Sequence, residues 1–221
     1  IEEVKTICRM MQVPGAVDVG EFADGRIKFV GILLDAHSVF NGMRLMDLPE
    51  RLKGPRPLIA AIMRDEELII PRGQDHLQAS DLVYLITASE TLETTLEVFD
   101  RQEAPLKRVL IIGGGRIGYR LASILDEQSL SCKIIEKDSS TCDKLAERLN
   151  KAVVLHGDGS DQSLLAEENI GEMDAVVTLT NDEETNILAS LLTRRMGIRK
   201  CITRISKFSY FPLMTTIGIE R

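Results

Sequence analysis

The glycine turn at residues 113–118 limits the folds open to this chain more than any other segment. It reads Gly113-Gly-Gly115-Arg116-Ile117-Gly118, a G-x-G-x-x-G spacing, and it follows Arg108-Val-Leu-Ile-Ile112. Past Arg108 that run is apolar without alternation, as a strand is when helices cover both faces of a parallel sheet. Ile117, Leu121 and Leu125 then recur every fourth position and trace one helix face. A strand before the glycines and a helix after them is the setting in which this spacing carries meaning. Gly113 permits the tight turn, Gly115 lets a pyrophosphate approach the backbone, and Gly118 lets the helix pack close to the sheet. The first amides of the helix then face the anion, and the helix dipole favours negative charge there.

The rest of the second half keeps the same rhythm. Lys133–Ile135, Ala152–Leu155, Ala175–Leu179 and Cys201–Thr203 read as further strands. Cys142, Leu145, Ala146 and Leu149 mark one helix, and Ile187, Leu188, Leu191 and Leu192 another. A last helix is expected from Phe208 to Ile217, with Phe211, Leu213 and Met214 on an apolar face. This alternation predicts an α/β fold, a doubly wound parallel Rossmann sheet, because crossovers between parallel strands are right-handed.

A composition shift at Asp100–Pro105 separates this half from a different pattern, giving expected domains of 1–103 and 104–221. In the first half, Gly25–Leu34 reads as a strand and Asn41–Leu48 as a short helix closed by Pro49. Pro57–Met63 and Leu68–Ile70 flank a charged link and predict a hairpin. Leu82–Ile86 is another strand, and Thr91–Phe99 has helical spacing. The first domain is therefore expected to be a small α+β unit, with a lead-in at its N-terminus.

Candidate ligand residues follow from the strand ends, where this fold binds its ligands. Glu136 closes the second strand, 18 positions after Gly118. A carboxylate there accepts both ribose hydroxyls of an adenosine and repels a 2′-phosphate, favouring NAD or plain adenine nucleotides over NADP. Lys137 beside it weakens that exclusion. Asp158, in His156-Gly-Asp158-Gly-Ser-Asp161, either contacts the adenine edge or caps the next helix. Thr180 and Asn181 either face the far half of a dinucleotide or belong to a helix cap. Arg204 is either a phosphate partner or half of a surface ion pair.

Other chemistries find little support. The formal net charge of −7 argues against nucleic acid. Cys8, Cys132, Cys142 and Cys201 form no C-x-x-C, and His37, His76 and His156 stand singly, so no metal site is expected. No apolar run approaches membrane-spanning length, and no signal peptide is visible. No tyrosine has a lysine four residues on, and no acid, base or nucleophile is placed beside a hydride acceptor. A Rossmann site without these groups suits a binding module rather than an enzyme. An oxidoreductase fragment using NADH remains the alternative of a different class.

Four segments carry a resemblance to a known family. They are Val109–Ala122, Ile134-Ile-Glu-Lys-Asp138, Gly157-Asp-Gly-Ser-Asp161 and Leu179-Thr-Asn-Asp-Glu-Glu-Thr-Asn-Ile187. Together they resemble the N-lobe of the RCK (regulator of K⁺ conductance) or KTN family, as found in regulatory subunits of Trk-type potassium-uptake systems. Asn186 matches an asparagine one turn into the family's helix, and Glu136 stands where aspartate is commoner. The first half resembles the RCK C-lobe through Gly42, Ala61–Gly73 and Ala79–Tyr84. A C-lobe ahead of an N-lobe suggests the end of one tandem unit and the start of the next. A chain that begins at Ile1 and ends at Arg221 ahead of the family's sixth N-lobe strand is then expected to be a piece of a longer protein.

The resemblance implies a cytoplasmic regulator, peripheral on the inner face of the membrane and without a transmembrane segment of its own. It would assemble as a homo-oligomer, a dimer or gating ring, on a Trk-type potassium-transporting membrane subunit. A potassium efflux partner is the alternative. NAD or NADH, or ATP and ADP, would bind the N-lobe. The implied nucleotide residues are Gly113, Gly115, Arg116, Ile117, Glu136, Asp158, Thr180, Asn181 and Arg204, with Gly118 and Lys137 beside them.

Overall fold

A computed structural model of the chain describes residues 2–210 apart from 14, 15, 53, 55, 66, 100–105, 129 and 199. Two compact units divide it, one holding Ile1–Cys8 and Leu106–Arg221, the other Arg9–Pro105. The first helix, α1 (Glu2–Gln12), runs from one unit's share of the chain into the other's.

The Arg9–Pro105 unit is built on one antiparallel sheet. Its strands are β1 (Asp18–Phe22), β2 (Ile27–Leu33), β3 (Leu58–Arg64), β4 (Glu67–Ile69) and β5 (Leu82–Ala88), in spatial order β1-β2-β5-β3-β4. The expected hairpin is present: Ile62, Met63 and Arg64 pair with Ile69, Leu68 and Glu67. Asp65 takes a positive φ of 47° at its turn. The apolar face of the sheet buries Val30, Ile32, Ile62, Val83 and Leu85 with Leu96 and Phe99 of the helical segment behind it. That segment is α3 (Leu92–Val98), and the short α2 (Leu48–Arg51) lies earlier in the chain. The expected helix over Asn41–Leu48 is displaced: a 3-10 turn covers Leu45–Asp47, and Pro49 sits inside α2 rather than ending a helix. Proline lacks only an N–H that the first helical turn leaves unpaired anyway, so it opens helices as readily as it closes them.

The second unit is the Rossmann sheet. Strands β6 (Arg108–Ile112), β7 (Ser131–Glu136), β8 (Val153–His156), β9 (Ala175–Thr178) and β10 (Lys200–Thr203) are all parallel, in order β10-β9-β6-β7-β8. Helices α4 (Arg116–Glu127), α5 (Ser139–Arg148), α6 (Gln162–Glu167) and α7 (Glu183–Arg195) alternate with them. Val109–Ile112 and the whole of β9 and β10 are buried, which is why their sequences do not alternate. The winding direction reverses between β8 and β9, which puts the switch point, and the crevice it makes, at the carboxyl ends of the neighbouring strands β6 and β9. Of the last expected helix, only a 3-10 turn at Phe208–Tyr210 is described; Phe211, Leu213 and Met214 lie outside the described residues. No helix among the described residues is long and apolar enough to cross a membrane.

Candidate nucleotide site

The crevice at the strand ends holds a cleft of about 340 Å³. Gly113, Gly115, Glu136, Lys137, Asp158, Thr180 and Asn181 line it together, so seven of the expected site residues meet in one place. Asp182 and Thr185, not singled out from the sequence as ligand residues, complete the wall beyond β9.

Each glycine of the turn has a separate physical reason. Gly113 has a φ of +107°, and a Cβ there would lie 2.8 Å from the Thr180 nitrogen. A Cβ on Gly118 would lie 2.0 Å from the Gly113 carbonyl oxygen, so this glycine lets α4 press against the turn. Gly115 differs: nothing lies within 4 Å of where its Cβ would be. The open space beside it lies at the N-terminus of α4, where backbone N–H groups suit an anion. Farther on, Gly159 is required by Ile112, whose Cγ2 would sit 2.2 Å from a Cβ.

Glu136 is held from both sides. One carboxylate oxygen accepts the Gly114 N–H at 2.7 Å, and the other accepts the Asp138 N–H at 2.9 Å. Each oxygen keeps capacity for a further donor such as a ribose hydroxyl. Asp138 caps α5, accepting from the Thr141 N–H at 2.8 Å and from the Ser140 and Thr141 hydroxyls. Those donors hold its carboxyl down at about 2. Nearby, the Cys142 thiol donates to the Glu136 carbonyl at 3.3 Å, and burial followed by the Glu136 charge pushes that thiol's pKa up.

Asp158 does not cap α6. It accepts the Ser160 N–H and hydroxyl at 2.8 and 2.7 Å, and Asp161 caps the helix through the Ser163 N–H. The Ser160 bonds keep the Asp158 carboxyl ionised below the usual carboxylate range. Two acids three residues apart compete for one cap, and the one immediately before the helix wins. Asp182 likewise caps α7, accepting the Glu184 N–H.

Four expected residues lie off the cleft lining. Arg116 is exposed at the first position of α4, Ile117 is half-buried, and Gly118 serves packing. Arg204 lies 3.8 Å from Glu3 of α1, the surface ion pair foreseen as its other role.

Two family models match the chain. The TrkA-N domain model matches residues 109–221, and the TrkA-C domain model matches residues 29–100. The chain belongs to the TrkA family.

Among the family's curated members, "Trk system potassium uptake protein trkA homolog 1" of Methanosarcina mazei is 35% identical over 215 residues. That alignment takes in 97% of this chain and 52% of the relative. The Halomonas elongata "Trk system potassium uptake protein TrkA" is 39% identical over 215 residues, 96% of this chain and 47% of the relative. The chain thus spans about half the length of these family members. The solved GsuK RCK domain superposes with a TM-score of 0.61 at 20% identity, over 98% of this chain and 47% of that one, a likeness of fold. A structure titled "GsuK channel bound to NAD" superposes at 0.60.

Proposed function

We propose that the 104–221 domain binds NAD or NADH, or ADP and ATP in the same adenosine half, and that occupancy regulates potassium transport through a Trk-type membrane subunit. The observation that carries the reading is the cleft itself. It holds an unobstructed backbone at Gly115 and a pre-oriented acceptor at Glu136 in one lining. Glu136 and Asp158 would hold the adenosine half. The amides after Gly115, with Arg116 nearby, would meet the phosphates. Thr180 and Asn181 would meet the far half. A nicotinamide bound there would bring its own hydride chemistry, but the cleft wall offers it carboxylates, a threonine pair, an amide and a lysine rather than a histidine, tyrosine or thiol. The role we assign is therefore sensing rather than turnover.

The NAD-bound title of a structure with this fold and the potassium-uptake names of the relatives support the assignment. Regulation requires the nucleotide to prefer one assembly state over another; equal affinity for both would shift nothing. The regulator would act from the cytoplasmic face of the membrane as a dimer or gating ring. The two-domain division at 1–103 and 104–221 is part of the same proposal.

Calorimetric titration with NADH, NAD, ADP, ATP and NADP tests it. Binding of adenine nucleotides with NADP weakest is the expected result. Failure of all five overturns the site, and steady NADH consumption with carbonyl substrates overturns the sensing role.

A further inference from the structure

Asn186 lies behind the cleft wall, with none of its surface exposed. Its side chain makes all four hydrogen bonds open to an amide. The oxygen accepts the Thr180 N–H at 2.9 Å and the Thr180 hydroxyl at 2.7 Å. The nitrogen donates to the Thr180 carbonyl at 3.1 Å and the Arg204 carbonyl at 3.0 Å. One buried amide therefore ties together the chain just past β9 and the chain just past β10. A reversed amide would set its NH₂ against the Thr180 N–H and its oxygen against two carbonyls, so a single orientation satisfies the site.

This clasp engages the N–H, the carbonyl and the hydroxyl of Thr180. Its hydroxyl also lies 2.9 Å from the Asp182 carbonyl and 3.2 Å from the Asp182 N–H. The next residue is left in a different condition. Asn181 is exposed and lines the cleft, and its side chain makes no hydrogen bond among the described residues. It sits across the switch point from Glu136 and Asp158, on the side that a dinucleotide's second nucleoside occupies in this fold.

We infer that Asn186 is a positioning residue: by clamping Thr180 it presents Asn181 to the second nucleoside, and so makes the cleft prefer a dinucleotide to a mononucleotide. This deepens the nucleotide reading and rests on it. A merely structural asparagine would support the whole unit and would affect all nucleotides alike. A positioning one affects only ligands that reach past the pyrophosphate.

The test compares NADH with ADP, which share the adenosine and diphosphate. Asn186→Asp would face two carbonyls with a carboxylate and is expected to lower stability, so the decisive variants are Thr180→Val, Thr180→Ser and Asn181→Ala, each checked by thermal melting. Thr180→Val and Asn181→Ala are expected to weaken NADH by about tenfold, the scale of one or two lost hydrogen bonds, and to leave ADP unchanged. Thr180→Ser, which keeps the hydroxyl, is expected to restore NADH binding. Equal loss of both ligands, no loss of either, or wild-type affinity no higher for NADH than for ADP overturns the inference while leaving the nucleotide site standing. Wild-type protein that binds neither ligand overturns the nucleotide reading itself.

Discussion

Glu136 and Gly114 meet across the first crossover, the carboxylate oxygen 2.7 Å from the glycine nitrogen. The end of β7 thereby fixes the turn out of β6, and the glycine turn in return aims the carboxylate. Substituting Glu136→Gln removes one of the two acceptor oxygens and sets an NH₂ against a backbone N–H. We expect NADH affinity to fall about tenfold, because a charge-assisted acceptor is lost, and NADPH to lose much less. Paired titrations read this as a narrowed NADH-to-NADPH ratio; an unchanged ratio would sink the assigned role.

The three motif glycines separate stability from binding. Gly115→Ala has room for its methyl and a φ of −63°, so it should melt close to the wild type while binding nucleotide weakly. Gly118→Ala drives a methyl to 2.0 Å from the Gly113 oxygen and should cost about 2 kcal/mol or more in urea unfolding. If the two variants changed places, with Gly115→Ala unstable and Gly118→Ala silent, the geometry of the turn would be wrong.

Asp138 sets an acid limit on the Rossmann unit. Its carboxyl is lowered from 3.8 to about 2 by the hydroxyls and amide it accepts. A carboxyl depressed on folding stabilises above its unfolded value and loses that contribution as pH falls through the folded one. Wild-type melting temperature should therefore drop between about pH 4 and pH 2. Asp138→Asn should melt lower at pH 7 and show a flatter slope across that window. An identical slope in the two proteins would count against this cap as the source.

In the Arg9–Pro105 unit the Arg64–Asp81 pair is the most exposed to mutation. Two parallel bonds of 2.7 Å join them, Asp81 is wholly buried, and it also accepts the Gln78 N–H. Asp81→Ala leaves a half-buried guanidinium with the His76 carbonyl but without its bidentate carboxylate and should cost about 3 kcal/mol. Chemical denaturation followed by circular dichroism measures it, and a change under 1 kcal/mol would show that solvent or other groups replace the carboxylate.

The Rossmann unit was legible because its constraints are local. A strand without alternation, three glycines and an acid at the right distance are each written in a few adjacent residues. So were the hairpin around Asp65 and the strand at β5. The shortfalls share one cause, competition between neighbours for a single role. Asp158 and Asp161 are both suited to cap α6, and only the position of the first helical turn decides between them. Pro49 marks either end of a helix. Arg204 suits either a phosphate or an ion pair, and only the fold shows that Glu3 lies 3.8 Å from it. The four bonds of Asn186 depend on two loops 24 residues apart, Thr180 and Arg204, and no local pattern announces them.

The thiol beside Glu136 has a consequence for redox chemistry. Cys142 is buried against Glu136, and Cys132 is driven up to about 12 by burial and the Asp126 charge. Oxidants and alkylating agents attack thiolates, and neither group supplies one near neutral pH. These two buried thiols are therefore poor targets for peroxide. Under the proposed nucleotide reading, occupancy of the cleft would change without consuming either of these two thiols.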